Sequence, residues 1–139
     1  RPGEAIYFSS LLGEPCSFLE YDVPDSSYKA IDAVDVLVGA DSTLLYEAAA
    51  RGKKTAFFSI RGTVMGIEGF DFGWPAKIPS DGPFWTNRIS KSTYTDILDY
   101  LFTMDDEDGR RDREVLRDFM VFDHGNSILK RTLTEVLSK

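Results

Sequence analysis

Asp41, Ser42 and Thr43, with Glu47 four residues beyond Thr43, are the residues whose types and spacing could do chemistry in this chain. They lie between an apolar run and a stretch rich in Leu and Ala, so the local order reads as strand, tight turn, helix. A helix that opens this way leaves its first N–H groups without intrahelical partners. Together with two hydroxyls, those groups suit an anion, and a phosphate-bearing ligand is the implied chemistry. A plainer role fits the same residues, because Asp and Ser are favoured helix N-caps. Spacing leaves both readings open. Glu47 shares a helical face with Thr43. Its carboxylate can accept from both hydroxyls of a ribose, or stand in solvent near the positive end of the helix.

These side chains need a frame. Val34–Val38 is an apolar run of the length and composition of a strand buried on both faces. Thr43–Arg51 reads as the helix, with Gly52 at a left-handed stop position. Thr55–Phe58 is the next buried strand. Strand, helix and strand in succession predict a parallel sheet, and in open sheets of this kind ligands bind beyond the carboxyl ends of the strands. The turn at 38–44 lies at such an end. Arg61, just past the second strand, falls on the same edge, where its guanidinium can pair with a phosphate or with a neighbouring carboxylate. Lys53 and Lys54 fall at the opposite edge and read as helix-terminating charges. Tyr21 and Asp22 follow a short strand candidate at Cys16–Glu20, where they can border a base.

The remaining segments complete an α/β pattern. Glu4–Leu12 reads as a helix stopped by Gly13, and Ser26 or Ser27 as the cap of a brief helix through Ala33. Arg61–Ser90 holds five glycines, three prolines and both tryptophans. A structureless connection of that length suggests a binding role; Trp74, Phe84 and Trp85 either pack it onto the core or stack on a base or sugar. Helical stripes follow at Tyr94, Ile97, Leu98, Leu101 and Phe102, at Val115, Leu116, Phe119 and Met120, and at Ile128, Leu129, Leu133, Val136 and Leu137. Asp105–Asp108 reads as a solvated acidic turn without the spacing of a calcium loop. The lone His124 reads as part of a turn, with general base as the alternative; Asn126 or Ser127 caps the last helix. The pattern predicts one α/β domain over 1–139 with a small parallel sheet of roughly three to four strands flanked by helices. It divides into a βα core (about 1–60), a long loop (61–90) and C-terminal helices (91–139).

The totals exclude several classes. A net charge of −7 argues against nucleic acid as a partner. The single cysteine, Cys16, allows no internal disulfide. No residue cluster asks for a metal. No apolar run approaches the roughly 20 residues of a membrane span, and no signal peptide is visible, so a cytoplasmic setting is expected. The chain starts Arg1-Pro2-Gly3 without Met, as an excised piece of a larger protein would.

Asp35-Val-Leu-Val-Gly-Ala-Asp-Ser-Thr-Leu-Leu-Tyr-Glu-Ala-Ala-Ala-Arg-Gly52 resembles the signature of the C-terminal half of GT-B glycosyltransferases. The resemblance implies a Rossmann-like half in which Ser42 and Thr43 face the diphosphate of a sugar nucleotide and Glu47 holds its ribose. Gly39, Asp41 and Arg61 complete the implied site. Gly82-Pro-Phe-Trp-Thr86 and Phe122-Asp-His-Gly-Asn126 look similar to enzymes of bacterial lipopolysaccharide and capsule synthesis. The resemblance implies a sugar nucleotide as substrate, no cofactor and no metal. It implies as partner an N-terminal half of the same protein, and allows peripheral membrane association of the full-length protein. The glycine-rich loop common earlier in this half is not evident and no catalytic residue is identified, so donor binding with little turnover by this piece alone is expected. A sugar-nucleotide epimerase half would use the same contacts. A non-catalytic interaction or receiver-like module would use Ser42 and Thr43 as simple caps, but only Asp22 and Asp41 stand at strand ends for a receiver's magnesium.

Overall fold

The computed structural model describes residues 3–15, 26–117 and 125–138. The chain divides into two compact units, Arg1–Val34 and Asp35–Lys139. The first contains α1 (Glu4–Leu12) and α2 (Ser26–Asp32). Gly13 ends α1 with φ 73, a conformation that costs glycine little. The strand candidate at Cys16–Glu20 and the residues Tyr21 and Asp22 lie outside the described residues, as do Phe119, Met120 and His124.

Among the described residues, the second unit is an α/β arrangement around a three-stranded parallel sheet in the order β1-β2-β3. β1 (Val36–Gly39) leads through α3 (Thr43–Ala50) to β2 (Lys54–Phe58), which pairs with β1 in parallel register, Val36 beside Lys54 and Gly39 beside Phe57. Gly52 (φ 87) follows the helix at the expected stop. β2 is the central strand, and Thr55, Ala56 and Phe57 are buried. Among the described residues β1 pairs with β2 alone. It departs from expectation in being half-buried, with Val38 52% exposed.

The segment 61–90 is not structureless. It forms α4 (Arg61–Met65), a 3-10 turn at Glu68–Phe70 and β3 (Trp85–Thr86), which pairs with Phe57 and Phe58 of β2. Phe84 and Trp85 face inward and are almost wholly buried, whereas Trp74 is 60% exposed. Phe57, Phe72, Phe84 and Trp85 form one aromatic cluster, with Phe57 and Phe72 ring centroids 4.5 Å apart and Phe84 and Trp85 4.9 Å apart. Each such ring contributes about 1.5–3 kcal/mol on burial, which fastens the glycine-rich segment to the sheet.

Helix α5 (Lys91–Thr103) starts at Ser90, whose hydroxyl accepts from the Thr93 N–H at 3.3 Å. Ile97 and Leu101 are buried, and the helix packs on β2 and β3. Phe102 breaks the expected stripe and points to solvent. Asp105–Asp108 is not a free turn but the opening of α6 (Asp106–Arg117). Asp105 Oδ1 accepts from the Asp108 N–H at 2.9 Å, and Asp108 Oδ2 from the Asp105 N–H at 3.4 Å. This reciprocal cap explains the acidic run, since carboxylates favour a helix N-terminus. Helix α6 packs against α3 and buries Leu116. Helix α7 (Ser127–Leu137) follows Asn126 (φ 55) and has no buried residue.

Candidate functional site at the carboxyl edge of the sheet

The β1–α3–β2 crossover puts the N-terminus of α3 at the carboxyl end of β1, and parallel pairing puts the end of β2 beside it. The two ends are joined directly: Ser59 Oγ donates to the Ala40 carbonyl at 3.4 Å. One residue beyond Ala40 and two beyond Ser59, Arg61 Nε lies 3.6 Å from Asp41 Oδ2. Two residues singled out by sequence are thereby brought together, although 20 positions separate them.

Gly39 ends β1, and a Cβ there would stand 2.5 Å from Leu45 Cδ1. Its lack of a side chain lets the first turn of α3 settle on the strand. Ser42 occupies the N-cap position with extended backbone, yet its side chain makes no capping hydrogen bond. Both Ser42 and Thr43 are exposed. Among the described residues, none accepts from the N–H groups of Thr43 or Leu44. The bland assignment of these residues as side-chain caps therefore fails at Ser42, and the helix end stays open. Glu47 lies one turn further along α3 and is also exposed.

Arg61 is the first residue of α4. Its guanidinium carbon sits 4.4 Å from the centre of the Phe70 ring, which backs it as a cation–π partner. Its side chain remains 53% exposed, and its ion pair with Asp41 is through Nε. Two carboxylate oxygens here are shielded from solvent and accept no hydrogen bond: Asp41 Oδ2 and Asp71 Oδ1. Asp71 packs against Gly62, where a Cβ would come within 1.8 Å of Oδ1. Unsatisfied acceptors are uncommon in folded proteins and costly. Burial, and then the Asp41 carboxylate, raise the Tyr46 phenol above its ordinary pKa.

Asp71, Ser59 and Asn87 were not singled out from the sequence. Asn87 alone leaves a trace there, as a polar residue two positions after the aromatic pair Phe84-Trp85. Lys54 does terminate a helix, but a different one from that expected: its ammonium donates to the Met104 carbonyl at the end of α5, 3.3 Å away. A cavity of about 40 Å³ lies at this opposite, amino-terminal edge, lined in part by Lys54, Phe84, Met104 and Leu116. It has room for water and not for a nucleotide. Among the described residues no group of three or more His, Cys, Asp or Glu could hold a metal ion, and no helix is long and apolar enough to cross a membrane.

Residues 4–137 match the model of a protein family described as "putative O-antigen biosynthesis protein". No curated protein and no solved structure matches the chain.

Proposed function

The chain belongs to this O-antigen biosynthesis family, and from that premise we propose that it binds the diphosphate of a sugar nucleotide as the donor-side domain of a glycosyltransferase. The observation that carries the reading is the open end of α3. The N–H groups of Thr43 and Leu44 lie at the carboxyl edge of a parallel sheet, two and three residues past Asp41, the ion-pair partner of Arg61, with the Ser42 hydroxyl uncommitted to capping. That is the edge where ligands of open α/β sheets bind.

In this reading the helix N–H groups and the two hydroxyls hold the diphosphate, and Arg61 offers its terminal nitrogens to it. Glu47, one turn on, takes the ribose hydroxyls. As the bond to the sugar breaks, negative charge grows on the departing nucleoside diphosphate, and preorganised N–H dipoles and the guanidinium favour that charge. Acceptor and base come from elsewhere in the assembled enzyme, and peripheral membrane association belongs to the same proposal. A sugar-nucleotide epimerase would use the same contacts; product analysis with the full-length protein separates the two.

One observation favours a non-catalytic interaction module instead: Arg61 already holds a carboxylate. Thermal unfolding in the presence of UDP, GDP, CDP and CMP distinguishes these. A nucleotide at one hundred times its dissociation constant adds about 2.7 kcal/mol of stability. No shift with any of them would favour the interaction module.

A further inference from the structure

Two features of the carboxyl edge carry positive potential, the open N-terminus of α3 and the Arg61 guanidinium. Asp41 pairs with the second. It lies two residues before Thr43 and presents Oδ2 to Arg61 Nε at 3.6 Å. That oxygen is closed to solvent and accepts no hydrogen bond, so its compensation is the guanidinium charge at a distance longer than a charge-assisted hydrogen bond. Phe70 backs the guanidinium from its ring face.

We propose that Asp41 is the resident anion of this site, an internal competitor that holds Arg61 until a phosphate displaces it. The inference rests on the phosphate-binding reading above and reverses the role that sequence suggests for Asp41. To engage Arg61, an incoming anion must draw the guanidinium away from Asp41 and leave a carboxylate oxygen that is closed to solvent without its counter-charge. That cost weakens every phosphate ligand by a similar factor. Inorganic anions, which have few other contacts, then fall below useful affinity. A nucleoside diphosphate recovers the loss through its ribose and base.

The test is a double-mutant cycle by calorimetric titration. Wild type, D41N, R61A and D41N/R61A are titrated with inorganic pyrophosphate and with the tightest binder among UDP, GDP and CDP. Asparagine keeps the size of the side chain and removes its charge; D41S serves as a second variant, and thermal melts check folding. D41N is expected to bind both ligands about tenfold more tightly than wild type, because a ligand no longer has to break a partly solvated ion pair to reach Arg61. The gain is expected to vanish in the R61A background. If wild type binds the nucleotide and D41N and D41S bind it no more tightly, this inference falls while the phosphate site stands. A gain that persists undiminished without Arg61 also overturns it. If no variant binds either ligand, the phosphate site falls and this inference with it.

Discussion

Asn87 grips the backbone of Phe72 at two points, its Oδ1 accepting from the Phe72 N–H at 2.8 Å and its Nδ2 donating to the Phe72 carbonyl at 3.4 Å. Both residues are buried. The contact ties the middle of the segment 61–90 to the end of β3, and the Thr63 hydroxyl donates to the Asn87 carbonyl from α4. One asparagine thus braces the stretch that carries Arg61 and Phe70.

Asn87→Ala should therefore destabilise the protein by about 1–3 kcal/mol, because it leaves a buried N–H without an acceptor. Denaturant unfolding measures this. A loss below about 0.5 kcal/mol, the range of an ordinary surface change, would mean that Asn87 does not brace the segment.

Two serines at helix starts should behave differently. Ser90 accepts from the Thr93 N–H, so Ser90→Ala should cost about 1 kcal/mol. Ser42 makes no such bond, so Ser42→Ala should change stability by less than about 0.5 kcal/mol while weakening a bound nucleoside diphosphate. Equal stability losses at the two positions would show that Ser42 is a cap after all.

The alkaline limb of stability should depend on Tyr46 and Tyr100. Burial, then Asp41, raises the pKa of Tyr46; burial, then Asp112, which accepts the Tyr100 hydroxyl at 3.2 Å, raises that of Tyr100. The native state holds both phenolic protons more tightly than the unfolded chain does. This contribution is complete below about pH 10, the unfolded tyrosine value, and is lost as pH rises through the raised native values. Tyrosinate absorbance should show these two of the six tyrosines ionising late, and Tyr100→Phe should flatten the fall in melting temperature above pH 10. An unchanged alkaline profile in that variant would contradict the assignment.

Gly82→Ala probes the seat of β3. A Cβ at Gly82 would stand 2.1 Å from Cη2 of Trp85, whose indole N–H is tied to the Pro79 carbonyl at 3.0 Å. The ring has little room to retreat, and overpacking of this kind costs about 1–3 kcal/mol. Trp fluorescence should shift along with the unfolding midpoint. A variant as stable as wild type would mean that the indole moves freely.

The frame around the site was legible because local signals agreed with it. An apolar run, a Leu- and Ala-rich stretch and a glycine in left-handed conformation at 52 each specify their element within a few residues. β3 was not legible. It spans two residues, too few to show a period, and its pairing is imposed by the burial of Phe84 and Trp85 rather than by local propensity. The acidic run at 105–108 misled for a related reason: Asp is common in turns and at helix starts alike, and only the reciprocal bonds between Asp105 and Asp108 decide. At the site, strand polarity placed Asp41 and Arg61 on one edge, but not their pairing, which depends on the path of α4. Asp71 left no signal, since its place is defined by a glycine nine positions earlier.

Backbone amide shifts in a titration with nucleoside diphosphates test the central claim most directly. The account predicts that the amides of Thr43 and Leu44 move most, with the Arg61 side-chain signal moving alongside them. Shifts gathered instead around Lys54, Met104 and Gly109, at the opposite edge of the sheet, or no shift at saturating nucleotide, would contradict it.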